Sequence, residues 1–215
     1  MTEFHDFLIN SDLEELNGWS HEATQQDTVI LEASEWGELK RKIGEHRKEA
    51  DILAFKGGDE KLNRKAVEET RLDILLHPDK NRDNSGLNHI LAEKAAENNV
   101  IVAFDFSQLY RSKRRDLVMK DWRKNIKLLE KYDAPYLITT NASNSDQLRA
   151  PRDLAALIDE LNGEGLKAVK EVPFQTLDEV EKRNSERYIR HGVEEVEKEG
   201  NTCRQLSEKT RDTLL

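Results

Sequence analysis

At 215 residues and 24.9 kDa, the chain is sized for one α/β domain or, less simply, two small ones. Apolar residues make up 36% and charged residues another 36%, so one core can be filled while the surface is charged throughout. The net charge of −9 argues against an indiscriminate nucleic-acid binder, the single cysteine (Cys203) excludes an internal disulfide and a multi-cysteine zinc site and points to a reducing cytoplasm, and no apolar run approaches the ~20 residues of a membrane span.

The N-terminus, MTEFHDFLINSD, is acidic and unlike a signal peptide. From there, short apolar, β-branched runs recur with helical stretches between them. Strands are expected at Phe4–Ile9, Thr28–Leu31, Ile52–Phe55, Leu72–Leu76, Val100–Phe104, Tyr136–Thr140 and Leu166–Val169. Each is nearly continuously apolar, as parallel strands buried on both faces are. Ala33-Ser34-Glu35-Trp36 starts the first crossover helix, with Ser34 as N-cap. Asp59 caps the next, ahead of Glu60–Thr70. Leu87–Asn98 carries Leu87, Ile90, Leu91 and Ala95 at helical spacing, and Leu117–Tyr132 carries Leu117, Trp122, Ile126 and Leu129. Pro151 opens a helix over Arg152–Leu161, which Gly163 and Gly165 end. After about His191 no strand signal remains, so a single domain over 1–191 is expected, then a helical or partly ordered tail over 192–215.

Seven strands, each followed by a helix, fit either a doubly wound sheet or a closed barrel. No G-x-G-x-x-G follows the first strand, so the usual dinucleotide-binding sheet lacks its fingerprint. A TIM-type barrel is favoured, and seven strands suit a chain shorter than the ~250 residues of a standard eight-fold barrel. Binding groups in such folds leave the carboxyl ends of the strands. The segment from His77 to Arg115 supplies them at two consecutive strands.

Charge is unevenly spread. Residues 1–55 hold 13 acidic and 5 basic residues, whereas residues 110–131 hold 9 basic and 3 acidic. Lys80, Arg82, Arg111, Lys113, Arg114 and Arg115 leave strand ends in two neighbouring βα loops, and Lys120, Arg123, Lys124 and Lys127 follow on the next helix. Arginine offers phosphates a bidentate fork and lysine a point charge. On composition alone, a solvated helix face with Asp116 and Asp121 as local partners is the plainer reading. His77, His89 and Asp105 suggest a metal or acid–base site, against a loop-shaping His77, a surface His89, and an Asp105 that caps a helix or pairs with Arg111. Thr139, Thr140, Asn141, Ser143 and Asn144 suit phosphate or sugar contacts and suit a loop equally well. Trp19, Trp36 and Trp122 read as core residues.

LDILLHPDKNRDNSGLNHILAEKAAENNVIVAFDFSQLYR resembles the central block of the archaeal ribonuclease P protein component 3 family, through His77, Arg82, Ser85, Gly86, Asn88, His89 and Ser107. YLITTNASNSDQLRAPRDLAALIDELNGE is similar to a second block, through Thr139, Thr140, Ala142, Arg149, Pro151 and Asp153. VPFQTLDEVEKRNSERY resembles a closing segment, with Pro173 and Asn184. Together the blocks span roughly residues 68–190. The resemblance implies a TIM-like barrel related to the PHP-type phosphoesterases. It implies a protein subunit of an RNA-based endonuclease that removes 5′ leaders from precursor tRNA, with catalytic groups and magnesium on the RNA. It also implies a ferredoxin-like partner (protein component 2), other protein subunits, and no catalytic, metal or cofactor site on the chain itself. The family is commonly basic, so at −9 this chain leaves more of the RNA attraction to its local patch.

A PHP phosphoesterase is the competing enzyme reading. Its first strand normally ends in D-x-H-x-H, to hold metals that generate hydroxide. Here Leu8 and Asn10 follow Asp6 where histidines would stand. Arg82, Arg111, Lys113, Arg114 and Arg115 are therefore the first candidates for RNA phosphate contact. Lys80, Arg123 and Arg149 come second, and Lys56, after the third expected strand, third. Ser85, Gly86 and Asn88 are expected to shape the loop presenting Arg82, with His77 and Ser107 supporting the two strand ends.

Overall fold

The structure is a computed structural model that describes residues 4–8, 17–20, 27–79, 85–184, 188–190 and 193–194. Five parallel strands form one sheet in the order β1-β2-β3-β4-β5: β1 Thr28–Leu31, β2 Ile52–Lys56, β3 Ile74–Leu76, β4 Ile101–Asp105 and β5 Tyr136–Thr139. Spatial order follows chain order without reversal, so the sheet winds in one direction and has no switch point. The intervening helices are α1 Trp36–His46, α2 Glu60–Val67, α3 His89–Glu97, α4 Phe106–Arg111, α5 Arg115–Lys131 and α6 Pro151–Glu160. A π-helical turn, Lys167–Glu171, then runs into α7, Val172–Asn184.

Strand periodicity sorts the side chains into two cores. Leu53, Phe55, Leu75, Val102, Phe104, Tyr136 and Ile138 share a cluster with helix residues such as Leu39, Ile43, Ala66, Leu91, Trp122, Ile126 and Ile158. Phe104 stands 5.3 Å from the Trp122 ring and 6.0 Å, edge-on, from Tyr136. The alternate residues, Ile52, Ala54, Ile74, Leu76, Ile101, Ala103 and Leu137, form the second cluster with Phe7, Leu8, Val172, Leu177 and Val180. Strands β2 to β5 are thus buried on both faces, as their unbroken apolar runs require, while β1 at the sheet edge leaves Ile30 exposed.

Helix starts follow local chemistry. Asp59 accepts the Leu62 N–H (2.9 Å), Asn88 the Leu91 N–H (3.0 Å) and Asp105 the Ser107 N–H (2.7 Å), and Pro151 occupies the first turn of α6. At α1 the cap falls one residue later than expected, on Glu35. Ser34 lies outside the helix and receives Glu38, which accepts from both its N–H and its hydroxyl.

Two expected strands are not strands. Residues 4–8 carry no strand, although Phe4, Phe7 and Leu8 are buried as a strand's would be. Leu166–Val169 is helical, because Ala168, Val169 and Val172 recur at helical spacing and face the core. The chain divides into two compact units, Met1–Val180 and Glu181–Leu215. In the second, β6 (Tyr188–Arg190) and β7 (Val193–Glu194) pair antiparallel, and β7 is strand where a helix or a partly ordered tail was expected. The rest of the expected tail, 192 and 195–215, lies outside the described residues.

Candidate nucleic-acid interface

The carboxyl edge of β3, β4 and β5 carries one connected polar network. Asp105, at the end of β4, is buried and lies beside Thr139 of β5 in the strand register. Its Oδ1 accepts from Ser107 N, and its Oδ2 accepts from Asn141 Nδ2 (2.8 Å) and lies 3.0 Å from His77 Nε2. His77 follows β3 with φ of +48°, a conformation costly for a residue other than glycine, and its contacts hold it there. Its Nδ1 lies 3.0 Å from Gln108 Oε1, while Gln108 Nε2 donates to Asp79 Oδ2 (2.8 Å). That bond fixes the Gln108 amide with its oxygen toward the ring. Both ring nitrogens of His77 therefore face acceptors, an arrangement that suits the imidazolium.

The ionisations agree. Burial pulls the His77 pKa down, but the Asp105 carboxylate and Gln108 outweigh it and raise it above 6.5. Burial pushes Asp105 up, yet His77, Asn141 and Ser107 hold it below the ordinary carboxylate value. A raised histidine stabilises the fold fully below 6.5 and loses that contribution as pH climbs through its folded-state value. Stability should accordingly fall as pH rises above about 6.5, and His77→Gln should flatten that part of the curve. Thermal melts of both proteins across this range check it; parallel curves would show that His77 is not the titrating group.

Asp6 ties the N-terminal segment to the same edge. Its Oδ1 accepts from Thr139 Oγ1 (2.6 Å) and Leu8 N (3.1 Å), and its Oδ2 from Thr140 N (2.7 Å) and Thr140 Oγ1 (2.9 Å). Thr139 and Thr140 are fully buried and directed at Asp6, so they are not phosphate donors. Asp6, the one residue left of the D-x-H-x-H pattern, has both oxygens engaged in hydrogen bonds. Among the described residues, no three His, Cys, Asp or Glu side chains converge as a metal site requires. His89 is exposed on α3.

The cations divide by environment. Arg111, Lys113, Arg114 and Arg115 are exposed in and around the α4–α5 turn. Among the described residues Arg111 and Lys113 form no ion pair. Arg115 Nη2 donates to Tyr110 O (3.3 Å), and Arg114 makes a two-point pair with Asp116 that is open to solvent. Arg149 joins this turn from the loop after β5, its Cζ lying 5.4 Å from the Phe106 ring centroid and 5.9 Å from that of Tyr110. Arg123 sits two turns along α5 and leans toward the last carbonyl of α6, Glu160 O, at 3.5 Å. Lys56, at the end of β2, pairs with Glu32 (2.7 Å) beside a 380 Å³ pocket lined by Ser34, Phe55, Gly58 and Asp59. Its charge is largely offset there, and β3 separates it from β4, which leads into the cationic turn. Lys80 and Arg82 lie outside the described residues.

The ends of their loop are fixed. Asn63, fully buried on α2, accepts from Gly58 N (3.0 Å) and donates to Pro78 O (2.8 Å). Asn125 of α5 donates to Ser85 O (2.7 Å), and Gly86 packs against the Pro78 carbonyl. Sequence reasoning found the cations and the loop glycine. It missed Asn63, Asn125, Gln108 and the Asp6 clip, whose partners lie far away in the chain. The aromatic spacing of Phe106 and Tyr110 was a signal for the Arg149 stack.

Comparison with known proteins places these features in a family. A model of "RNase P subunit p30" matches residues 10–211. The chain is 42% identical over 172 residues to Ribonuclease P protein component 3 of Methanococcoides burtonii, covering 78% of this chain and 70% of that protein. It is 34% identical over 158 residues to the protein of the same name from Methanococcus maripaludis, covering 73% and 67%. The fold matches a chain in the cryo-EM structure of archaeal Ribonuclease P with mature tRNA at a TM-score of 0.73 and 30% identity, over 81% of this chain and 77% of that one. With a family model spanning nearly its whole length, relatives above 30% identity and a matching fold, the chain belongs to the RNase P subunit p30 family.

Proposed function

We propose that the chain is a protein subunit of ribonuclease P, the RNA-based endonuclease that removes the 5′ leader from precursor tRNA. The observation that carries this reading is its likeness, at 30% identity, to a chain of an archaeal Ribonuclease P structure that includes tRNA. The one-way βα winding supports a TIM-like, PHP-related barrel. The saturated Asp6 and the absent histidines favour a subunit without its own hydrolytic centre over a phosphoesterase. The magnesium then belongs to the RNA, and the partners are ribonuclease P RNA, precursor tRNA, the ferredoxin-like protein component 2 and further subunits. The setting is the cytoplasm; among the described residues no helix is long and apolar enough to cross a membrane.

Arg111, Lys113, Arg114 and Arg115 meet RNA phosphates in this reading. Arg149 stands beside the same turn, Lys80 and Arg82 join them on the sequence reading alone, and Lys56 and Arg123 are peripheral. Reconstitution tests it. Leaving this chain out of a mixture of the RNA and the other proteins should sharply reduce precursor-tRNA cleavage at low magnesium. The Arg111→Ala/Arg114→Ala/Arg115→Ala protein should bind RNA with a salt slope lower by about 2 to 3, at roughly 0.7–0.9 per phosphate contact. Undiminished cleavage without the chain would refute the subunit role, and an unchanged slope would refute the patch.

A further inference from the structure

We infer that Tyr110, with Arg149 fixed behind it, is a seat on which an unpaired RNA base stacks; this rests on the RNA-subunit reading and adds a specific contact to it. Tyr110 is 49% exposed, and among the described residues the other exposed large aromatic is Phe174. It is the next-to-last residue of α4, flanked in sequence by Arg111, while Arg115 reaches back to its carbonyl. Arg149 lies within cation–π range of both Phe106 and Tyr110.

The Arg149 guanidinium is not a loose surface cation. Its Nη1 donates to Asp146 O (3.0 Å) and Leu148 O (2.6 Å), and its own carbonyl accepts from the buried Trp19 indole (2.8 Å). Leu148 is buried beneath it. The side chain is therefore held from both ends, and the Phe106–Arg149–Tyr110 group is built before any ligand arrives. Little order is lost on binding, which favours affinity.

The chemistry of the group selects the ligand. A duplex backbone offers phosphates, and those need only the cations. An exposed ring supported by a fixed guanidinium and bordered by Arg111, Lys113 and Arg115 offers a π-face beside phosphate-binding charges. That pairing is how proteins hold single-stranded nucleic acid, with bases stacked on aromatic faces and the backbone held by cations. Tyrosine and arginine also anchor protein interfaces, so a protein partner is the alternative to be separated by experiment.

The test uses the reconstituted ribonuclease P assembly with wild-type, Tyr110→Phe and Tyr110→Leu chains. Leucine keeps bulk and loses the π-face; phenylalanine keeps the π-face. Base-specific chemical probing and hydroxyl-radical footprinting are read on the same RNA, with melting temperatures checking that the exposed substitutions leave the fold intact. The expected result is one or a few unpaired nucleotides whose bases are protected by wild type and Tyr110→Phe and become reactive with Tyr110→Leu. Backbone protection near them should persist, and RNA affinity should fall roughly 10-fold. Base reactivities identical in all three assemblies would overturn the seat. So would Tyr110→Leu weakening retention of another protein subunit while leaving RNA protections unchanged. If wild type gives no RNA protection at all, the RNA-subunit reading fails with it; backbone protection without a Tyr110-dependent base leaves that reading intact and removes only the stacking.

Discussion

Replacing Asp6 with alanine should lower stability by about 3–5 kcal/mol, because it strands buried donors around a lost acceptor. The donors are the Leu8 and Thr140 N–H groups and the Thr139 and Thr140 hydroxyls, all within 3.1 Å of the carboxylate. For a chain of this size that is a drop of about 10 °C in Tm. Asp6→Asn, which keeps the shape and part of the bonding, should cost less. Acid separates the effects further. Burial pushes the Asp6 carboxyl above 3.8 against the four bonds that hold it down. A carboxyl raised in the folded state stabilises most below its unfolded value and loses that contribution as pH rises through its folded value. Urea unfolding should thus show a wider gap between wild type and Asp6→Asn at about pH 4.5 than at about pH 7.5. A constant gap would mean that Asp6 does not titrate differently in the fold.

Gly86→Ala should be comparably damaging, for a backbone reason. Gly86 has φ of +76°, and an added Cβ would lie 1.9 Å from Pro78 O and 2.2 Å from Pro78 C. Neither neighbour is a flexible side-chain tip. The Pro78 carbonyl is already held by Asn63, and the adjoining Ser85 carbonyl by Asn125. Relief requires the loop ends to part, at a cost of about 3 kcal/mol or more. Gly44→Ala is the matched control: it lies inside α1 with nothing within 4 Å of the added Cβ, and should gain about 0.5–1 kcal/mol. Chemical denaturation of the two variants measures both signs. Because Gly86 closes the segment that carries Lys80 and Arg82, its alanine variant should also weaken RNA binding, whereas Gly44→Ala should not.

Much of the sheet was legible because parallel strands buried on both faces leave unbroken apolar runs. Thr28–Leu31 matches its expected bounds, and β2 to β5 fall within a residue or two of theirs. The same signal misled at Phe4–Ile9 and Leu166–Val169, since a short apolar run looks alike in a strand, a buried coil or a helix. At the second, the spacing of Ala168, Val169 and Val172, with Pro173 tolerated in the first turn of the next helix, was the discriminating clue. Local helix starts were readable at Asp59, whose cap bond reaches only three residues on, and at Pro151, whose fixed φ suits a first turn. Asp6 with Thr139, and Asn63 with Pro78, were not, since single-sequence patterns carry no information about partners so distant. The cationic turn was visible as composition, but its division into paired Arg114, stacked Arg149 and Arg111, which has no ion pair among the described residues, exists only in three dimensions.

Asn63 has a mechanical consequence. One buried amide holds the loop after β2 through Gly58 and the loop after β3 through Pro78. Gln108 and His77 then couple β3 to α4, and Asn141 couples β4 to the segment after β5. The loops along this edge are thereby linked in series like stitches in one seam. A load applied by a large ligand at the α4 turn spreads along the row instead of bending a single loop. Such an edge is suited to carrying a bulky partner in a set orientation.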